Sequence, residues 1–239
     1  MQNPWMKRNP ISPYRNEKQI DFLLQCDVPE VLYGGAAGGG KSEALLMAAL
    51  QFVEVPQYAA ILFRKTYADL ALPGALMDRA AEVLSGTGAH WNGQDKTWTF
   101  PSGATPTFGY LDNENDRFRY QSSEFQFIGF DELTQFKERD YRYLFSRLRR
   151  TVDNRVPLRM RAGTNPGGIG HLWVKKRFNP DRPERNPPNR RFVSAYLEDN
   201  PYLDIDSYER SLEELDSQTR RQMRRGDWTD FGGNHYFPD

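Results

Sequence analysis

The segment EVLYGGAAGGGKSEALLMAA, Glu30 to Ala49, points to the architecture of the chain. A short apolar run breaks into a loop of Gly and Ala, reaches Lys41-Ser42 and passes at once into residues that favour a helix. Gly35-Ala36-Ala37-Gly38-Gly39-Gly40-Lys41-Ser42 fits G-x-x-x-x-G-K-[ST] without a gap. Such a loop must wrap phosphates so that successive main-chain N–H groups point inward, and small residues let the backbone approach. The helix that starts near Ser42 adds the positive end of its dipole. In this arrangement Lys41 reaches the β- and γ-phosphates and the Ser42 hydroxyl ligates Mg2+. A Gly-rich turn with a chance Lys-Ser is the plainer alternative, and the strand–loop–helix setting argues against it.

A phosphate loop of this kind needs a second strand that ends in a carboxylate to hold the metal ion. FQFIGFDE, Phe125 to Glu132, supplies one, with Asp131 as the metal-holding acid. Glu132, next along, can polarise a water for in-line attack on the γ-phosphate. The pair also suits the N-terminus of a following helix, where acids are favoured. GTP is the weaker choice of nucleotide: Glu-Leu-Thr follows the acids where a GTPase has x-x-Gly, and no Asn-Lys-x-Asp occurs in the chain.

Outward from these two strands, apolar runs alternate with helical periodicity. Glu17–Gln25 reads as a short amphipathic helix, 42–53 as a helix, YAAILFRK as a buried strand and GALMDRAAEVLS as a helix. KTWTFPSG and ATPTFGYL read as two strands about a Pro-Ser-Gly turn. In RDYRYLFSRLRR, Tyr141, Leu144, Phe145 and Leu148 recur at helical spacing, which predicts an amphipathic helix with Arg142, Arg149 and Arg150 off its apolar face. PLRMRAGT and RRFVSAYLED read as strands. The expected fold is therefore α/β: a P-loop NTPase core of the ASCE/RecA-like kind, with a mainly parallel sheet flanked by helices. The expected divisions are a loose arm over 1–16, the ATPase core over 17–198 and a small helical, charged lid or linker over 199–239.

Composition bounds the rest. The 239 residues have a formal net charge of zero. That balance hides an asymmetry, because Lys137 to Arg191 carries 16 Lys/Arg against 5 Asp/Glu. A basic segment in a neutral protein marks a candidate polyanion-facing surface, or else a solvated charged face. Cys26 is the only cysteine, which excludes a disulfide framework and points to an intracellular setting. His90, His171 and His235 have no metal-ligand spacing. No apolar run reaches membrane-spanning length.

Two further features bear on mechanism. AGTNPGG places Thr164 and Asn165 at a strand end before a turn, where polar residues can touch a γ-phosphate or the attacking water; Asn-Pro is also a common turn starter. Phosphoryl transfer commonly uses an added arginine, often from a neighbouring subunit. Arg117, Arg119, Arg139 and Arg142 are the candidates.

The motifs KQIDFLL, GGAAGGGKS, LFRKTYADL, RYQSSEFQFIGFDELTQF, GTNPGG, EDNPYLD and GDW…G…YF, in this order, resemble the ATPase domain of the large terminase subunit of tailed bacteriophages. The resemblance covers about Ser12 to Phe237. It implies an ATP- and Mg2+-dependent motor that packages double-stranded DNA into a procapsid in the host cell cytoplasm. Its implied partners are the portal protein, the small terminase subunit and further copies of itself in a ring, usually of five. On the resemblance, Gln19 matches the adenine-reading Gln, and Thr164 and Asn165 match the coupling motif. An RNase H-type nuclease domain would begin about where HYFPD ends the chain, so nuclease activity is expected to be absent. Two departures stand out. The loop has only Ala and Gly between Gly35 and Lys41, where many members carry a basic residue. Tyr120-Gln121-Ser122 stands where an Arg-Gly pair is expected, with Arg119 close to that spot.

Other readings remain open from the residues alone. A helicase or other nucleic-acid remodeller shares the loop and the acids. A small-molecule kinase shares the loop but does not need Glu132. A nucleotide-gated assembly module with feeble hydrolysis would share both.

Overall fold

The computed structural model describes residues 16–229. The elements follow the alternation expected. Helix α1 (Glu17–Leu24) begins at Asn16, whose side chain accepts from the Gln19 N–H. Strand β1 (Glu30–Gly35) runs through the loop into α2 (Lys41–Leu50), and β2 (Ala59–Arg64) leads to α3 (Tyr67–Ala71) and α4 (Leu76–Leu84). A hairpin, β3 (His90–Asn92) and β4 (Thr97–Thr99), precedes β5 (Thr105–Tyr110). Then come β6 (Phe127–Asp131), α5 (Glu138–Phe145), β7 (Arg159–Thr164), α6 (His171–Phe178), β8 (Arg190–Ala195), α7 (Ile205–Leu212) and α8 (Ser217–Arg225).

These strands form one eight-stranded sheet in the order β3-β4-β5-β2-β6-β7-β1-β8. It is parallel from β5 to β8, and the β3–β4 and β4–β5 pairings at one edge are antiparallel. Parallel strands bury both faces, which explains why β1, β6 and β7 are buried along their whole lengths. On one face Leu45, Ala48 and Ala49 of α2, with Ala80 and Leu84 of α4, cover the sheet. On the other, Tyr141 and Leu144 of α5 and Val174 and Phe178 of α6 pack on Phe130, Ile128 and Met160. A small third cluster joins Ala36 of the loop to Leu197, Leu212 and Met223, so α7 and α8 rest on the phosphate loop.

The strand order places β7 between β1 and β6. Register then aligns their ends, with Gly34 opposite Thr164 and Asp131 opposite Gly163. Chain segments far apart in sequence thus meet at the carboxyl edge, where open α/β sheets bind ligands.

Three expectations need correction. The helix predicted through Arg150 stops at Phe145, because the Phe125 N–H donates to Arg147 O and the Arg149 N–H to Phe125 O, which draws 147–149 into strand-like pairing. The helix predicted to Val53 ends at Leu50. The basic stretch is not one surface. Arg159 and Arg161 are fully buried: Arg159 donates to Ala48 O at the end of α2, and Arg161 donates to Gln25 O and Val28 O beyond α1. Arg177 and Arg190 pair with the buried Glu30. Most of the predicted 1–16 arm lies outside the described residues, but Asn16 is buried and caps α1. No helix among the described residues is long and apolar enough to cross a membrane.

Candidate active site

The loop from Gly35 to Ser42 is held from several sides. The Ala36 N–H donates to Ala195 O and the Ala37 N–H to Met223 O, each at 2.8 Å. Asn16 and Tyr33 both donate to Gly39 O, at 3.2 and 2.9 Å, Gln19 donates to Gly40 O at 2.8 Å, and Asn200 donates to Gly38 O at 2.6 Å. The carbonyls are therefore turned outward and tied down. The amides of Gly38, Gly39, Gly40, Lys41 and Ser42 have no partner among the described residues. Buried main-chain donors are normally paired, so this concentration of free donors at a helix start fits a phosphate chain.

Lys41 is buried, and its Nζ donates to Ala36 O at 2.5 Å. Burial lowers its pKa to about 8, with the charges of Glu132 and Asp131 opposing that shift. Ser42 Oγ donates to Asp131 Oδ1 at 2.9 Å, across 89 residues of sequence. A hydroxyl and a carboxylate converging at one point form the oxygen donor set that Mg2+ takes in phosphate sites, so Ser42 and Asp131 fit the ion. Burial raises the Asp131 pKa, the Glu132 charge adds to the rise, and Arg64 opposes it.

Glu132 stands off the end of β6 in the left-handed region, at φ 57° and ψ 57°. A non-glycine residue there costs of order 1–2 kcal/mol. The twist aims its carboxylate along the sheet edge at β7. Its Oε2 lies 3.5 Å from Thr164 Oγ1 and 3.4 Å from the Asn165 main-chain nitrogen. Asn165 Oδ1 is buried without a partner among the described residues, while its amide nitrogen lies 3.9 Å from Met223 Sδ of α8. The structure thus brings together the loop, Lys41, Ser42, Asp131, Glu132, Thr164 and Asn165. Gln19 is adjacent, with its amide nitrogen occupied by the loop.

Arg119 is not brought in. It bonds Asp116 at 2.6 Å, lies over the Tyr110 ring and is half exposed beyond β5. Four strand intervals separate β5 from β1, roughly 19 Å at ordinary sheet spacing. Arg117, Arg139 and Arg142 pair with Asp140, Glu114 and Glu138. Each candidate finger is held by an acid of its own chain.

Sequence reasoning assigned no role to Arg64, Thr134, His171 or Asn200, all now in or beside the site. His171 Nδ1 accepts from the Gly167 N–H of the GTNPGG turn at 2.9 Å, and its Nε2 lies 3.3 Å from Trp228 O. Arg64, Thr134 and Asn200 lay within LFRKTYADL, RYQSSEFQFIGFDELTQF and EDNPYLD, whereas His171 carried no signal. No group of three or more His, Cys, Asp or Glu side chains that could hold a metal ion occurs among the described residues. A cavity of about 540 Å3 lined by Phe52, Val55, Asn154 and Val156 lies where β2 and β7 begin, at the opposite end of these strands from Asp131, Glu132 and Thr164.

A family model described as terminase large subunit, T4likevirus-type, N-terminal, matches residues 32–238. The chain belongs to this terminase family. The architecture agrees with solved members at low identity. The large terminase of a thermophilic bacteriophage matches with TM-score 0.70 and 16% identity, over 91% of this chain and 54% of that one. The same protein in complex with ATP-gamma-S matches with TM-score 0.69 and 17% identity, over 90% and 53%. The Thermus phage P74-26 large terminase ATPase domain matches with TM-score 0.58 and 16% identity, over 89% and 92%. This terminase-family chain spans about half the length of the thermophilic phage protein. No curated protein matches it.

Proposed function

We propose that this chain hydrolyses ATP and uses the cycle to drive double-stranded DNA into a procapsid. The observation that carries the reading is Glu132 turned against Thr164 and Asn165, beside the Ser42–Asp131 pair and Lys41. The free amides of Gly38 to Ser42 and the Lys41 ammonium bind the phosphates, and Ser42 and Asp131 hold Mg2+. When bound, the ion neutralises charge on the transferring phosphoryl group. Glu132 accepts the proton of the attacking water. Asn165, in contact with both Glu132 and Met223, passes the loss of the γ-phosphate to α8, and Gly167 passes it through His171 to Trp228.

Exposed cations, Arg149 and Lys176 among them, supply the grip on DNA. Such contacts are salt-sensitive and indifferent to sequence. Copies assemble in a ring on the portal protein, with the small terminase subunit, in the host cytoplasm. Arg119, held outside its own site, serves a neighbour's. The core spans 17–198 and the lid begins near 199.

The test is steady-state ATPase turnover with and without duplex DNA, across protein concentration, for the parent and Glu132→Gln. Turnover that DNA stimulates, that rises faster than linearly with protein and that Glu132→Gln abolishes supports the motor. Strand separation on a tailed duplex supports a helicase instead. Turnover that survives Glu132→Gln rejects the site.

A further inference from the structure

The guanidinium of Arg64, at the last position of β2, lies 3.3 Å from Asp131 Oδ2. The other carboxylate oxygen, Oδ1, accepts from Ser42. Asp131 is therefore clamped at both oxygens by groups from different elements, β2 on one side and the start of α2 on the other. The side chains of Arg64 and Asp131 are 18% and 6% exposed, so water screens this pair little. Arg64 Nε is also buried without a hydrogen-bond partner among the described residues. Leaving a buried charged donor unpaired is costly. A side chain that keeps this cost while giving its terminal nitrogen to one carboxylate is held there by that carboxylate. The contact follows from the sheet: β2 and β6 are parallel neighbours, with Phe63 opposite Phe130, so Arg64 falls beside Asp131.

We propose that Arg64 is a positioning residue for the metal-binding acid, holding the outer oxygen of Asp131 so that the inner one faces Ser42 and the magnesium position. The inference rests on the nucleotide reading above. Outer partners of metal-binding carboxylates typically change metal affinity by 10–100-fold when removed. Lysine keeps the charge without the planar fork, so it restores the attraction and not the orientation.

The experiment titrates Mn2+ into the full chain with ATP-gamma-S and reads free Mn2+ by electron paramagnetic resonance. A parallel titration measures affinity for a fluorescent ATP analogue in EDTA, and a thermal melt checks folding. Arg64→Gln should weaken Mn2+ on the order of 10-fold while metal-free nucleotide affinity stays within about twofold. Arg64→Lys should fall between Arg64→Gln and the parent. Unchanged Mn2+ affinity in a folded Arg64→Gln protein overturns the proposal, as does an equal loss of metal-free nucleotide binding. Should Arg64→Gln not fold, Arg64→Lys decides: weaker Mn2+ binding with unchanged melting supports the role, and parental Mn2+ binding overturns it. A parent that takes up no Mn2+ with ATP-gamma-S rejects the nucleotide reading and this one together, whereas a binding parent with indistinguishable variants rejects the role of Arg64 alone.

Discussion

The Glu132 carboxylate and the Asn165 main-chain N–H meet at 3.4 Å, joining the end of β6 to the end of β7 across 33 residues of sequence. The contact is long for a hydrogen bond, as catalytic contacts often are before substrate tightens them. It exists because Glu132 adopts positive φ and so leaves the strand direction.

Glu132 should therefore separate stability from turnover. Glu132→Gln keeps the fold and ATP affinity and lowers turnover by about 10²–10⁴-fold, the ordinary worth of a general base. Glu132→Gly relaxes the backbone, so its melting temperature should equal or exceed that of the parent while turnover is lost. Calorimetry and steady-state kinetics on the two variants check both halves. A Glu132→Gln enzyme with near-parental turnover contradicts the assignment.

Gly226 ends α8 at φ 64°, and a Cβ there would lie 2.5 Å from Ala36 N and Gly35 Cα. Both neighbours are loop backbone, which has no flexible end to yield. Gly226→Ala should destabilise the domain by about 1–3 kcal/mol and weaken ATP binding as well, because relief requires moving the phosphate loop. Melting and nucleotide titration should shift together.

His171 is buried, and that burial lowers its pKa below the usual 6.5, while Asp181 and Asp227 oppose the shift and Lys175 adds to it. A folded-state pKa below the unfolded one means that the unfolded chain binds the proton more readily. Stability from neutral His171 is thus complete above about pH 6.5 and is lost as pH falls below it. His171→Asn replaces the Nδ1 acceptor with a group that does not titrate. The parent's lead in melting temperature over this variant should shrink between pH 7.5 and 5.5.

The buried and exposed parts of the basic stretch should differ in DNA binding. Arg149→Glu and Lys176→Glu act on exposed cations, so each should weaken duplex binding and reduce the salt slope by about 1. Arg177→Gln, whose cation is spent on Glu30, should leave the salt slope unchanged. Its effect should appear in the melt, because Glu30 then loses a partner in the interior. Titrations at several salt concentrations measure the slopes.

Local features can be read along the chain: the loop Gly35 to Ser42, the apolar run ending in Asp131 and Glu132, and the alternation that dictates a parallel sheet. These are legible because phosphate binding demands small residues and a Lys-Ser at set spacing, and because doubly buried strands are continuous apolar runs. Which elements lie side by side comes only from the packed fold. Nothing local in LFRKTYADL sets Arg64 against Asp131; the adjacency of β2 and β6 does. Nothing local marks Arg159 and Arg161 as interior, and their count misled the charge reading, because the carbonyls that satisfy them belong to the ends of α1 and α2. Thr164 and Asn165 reach Glu132 only because β7 lies between β1 and β6, and strand order is set by the packing of whole elements, not by the residues within any one of them.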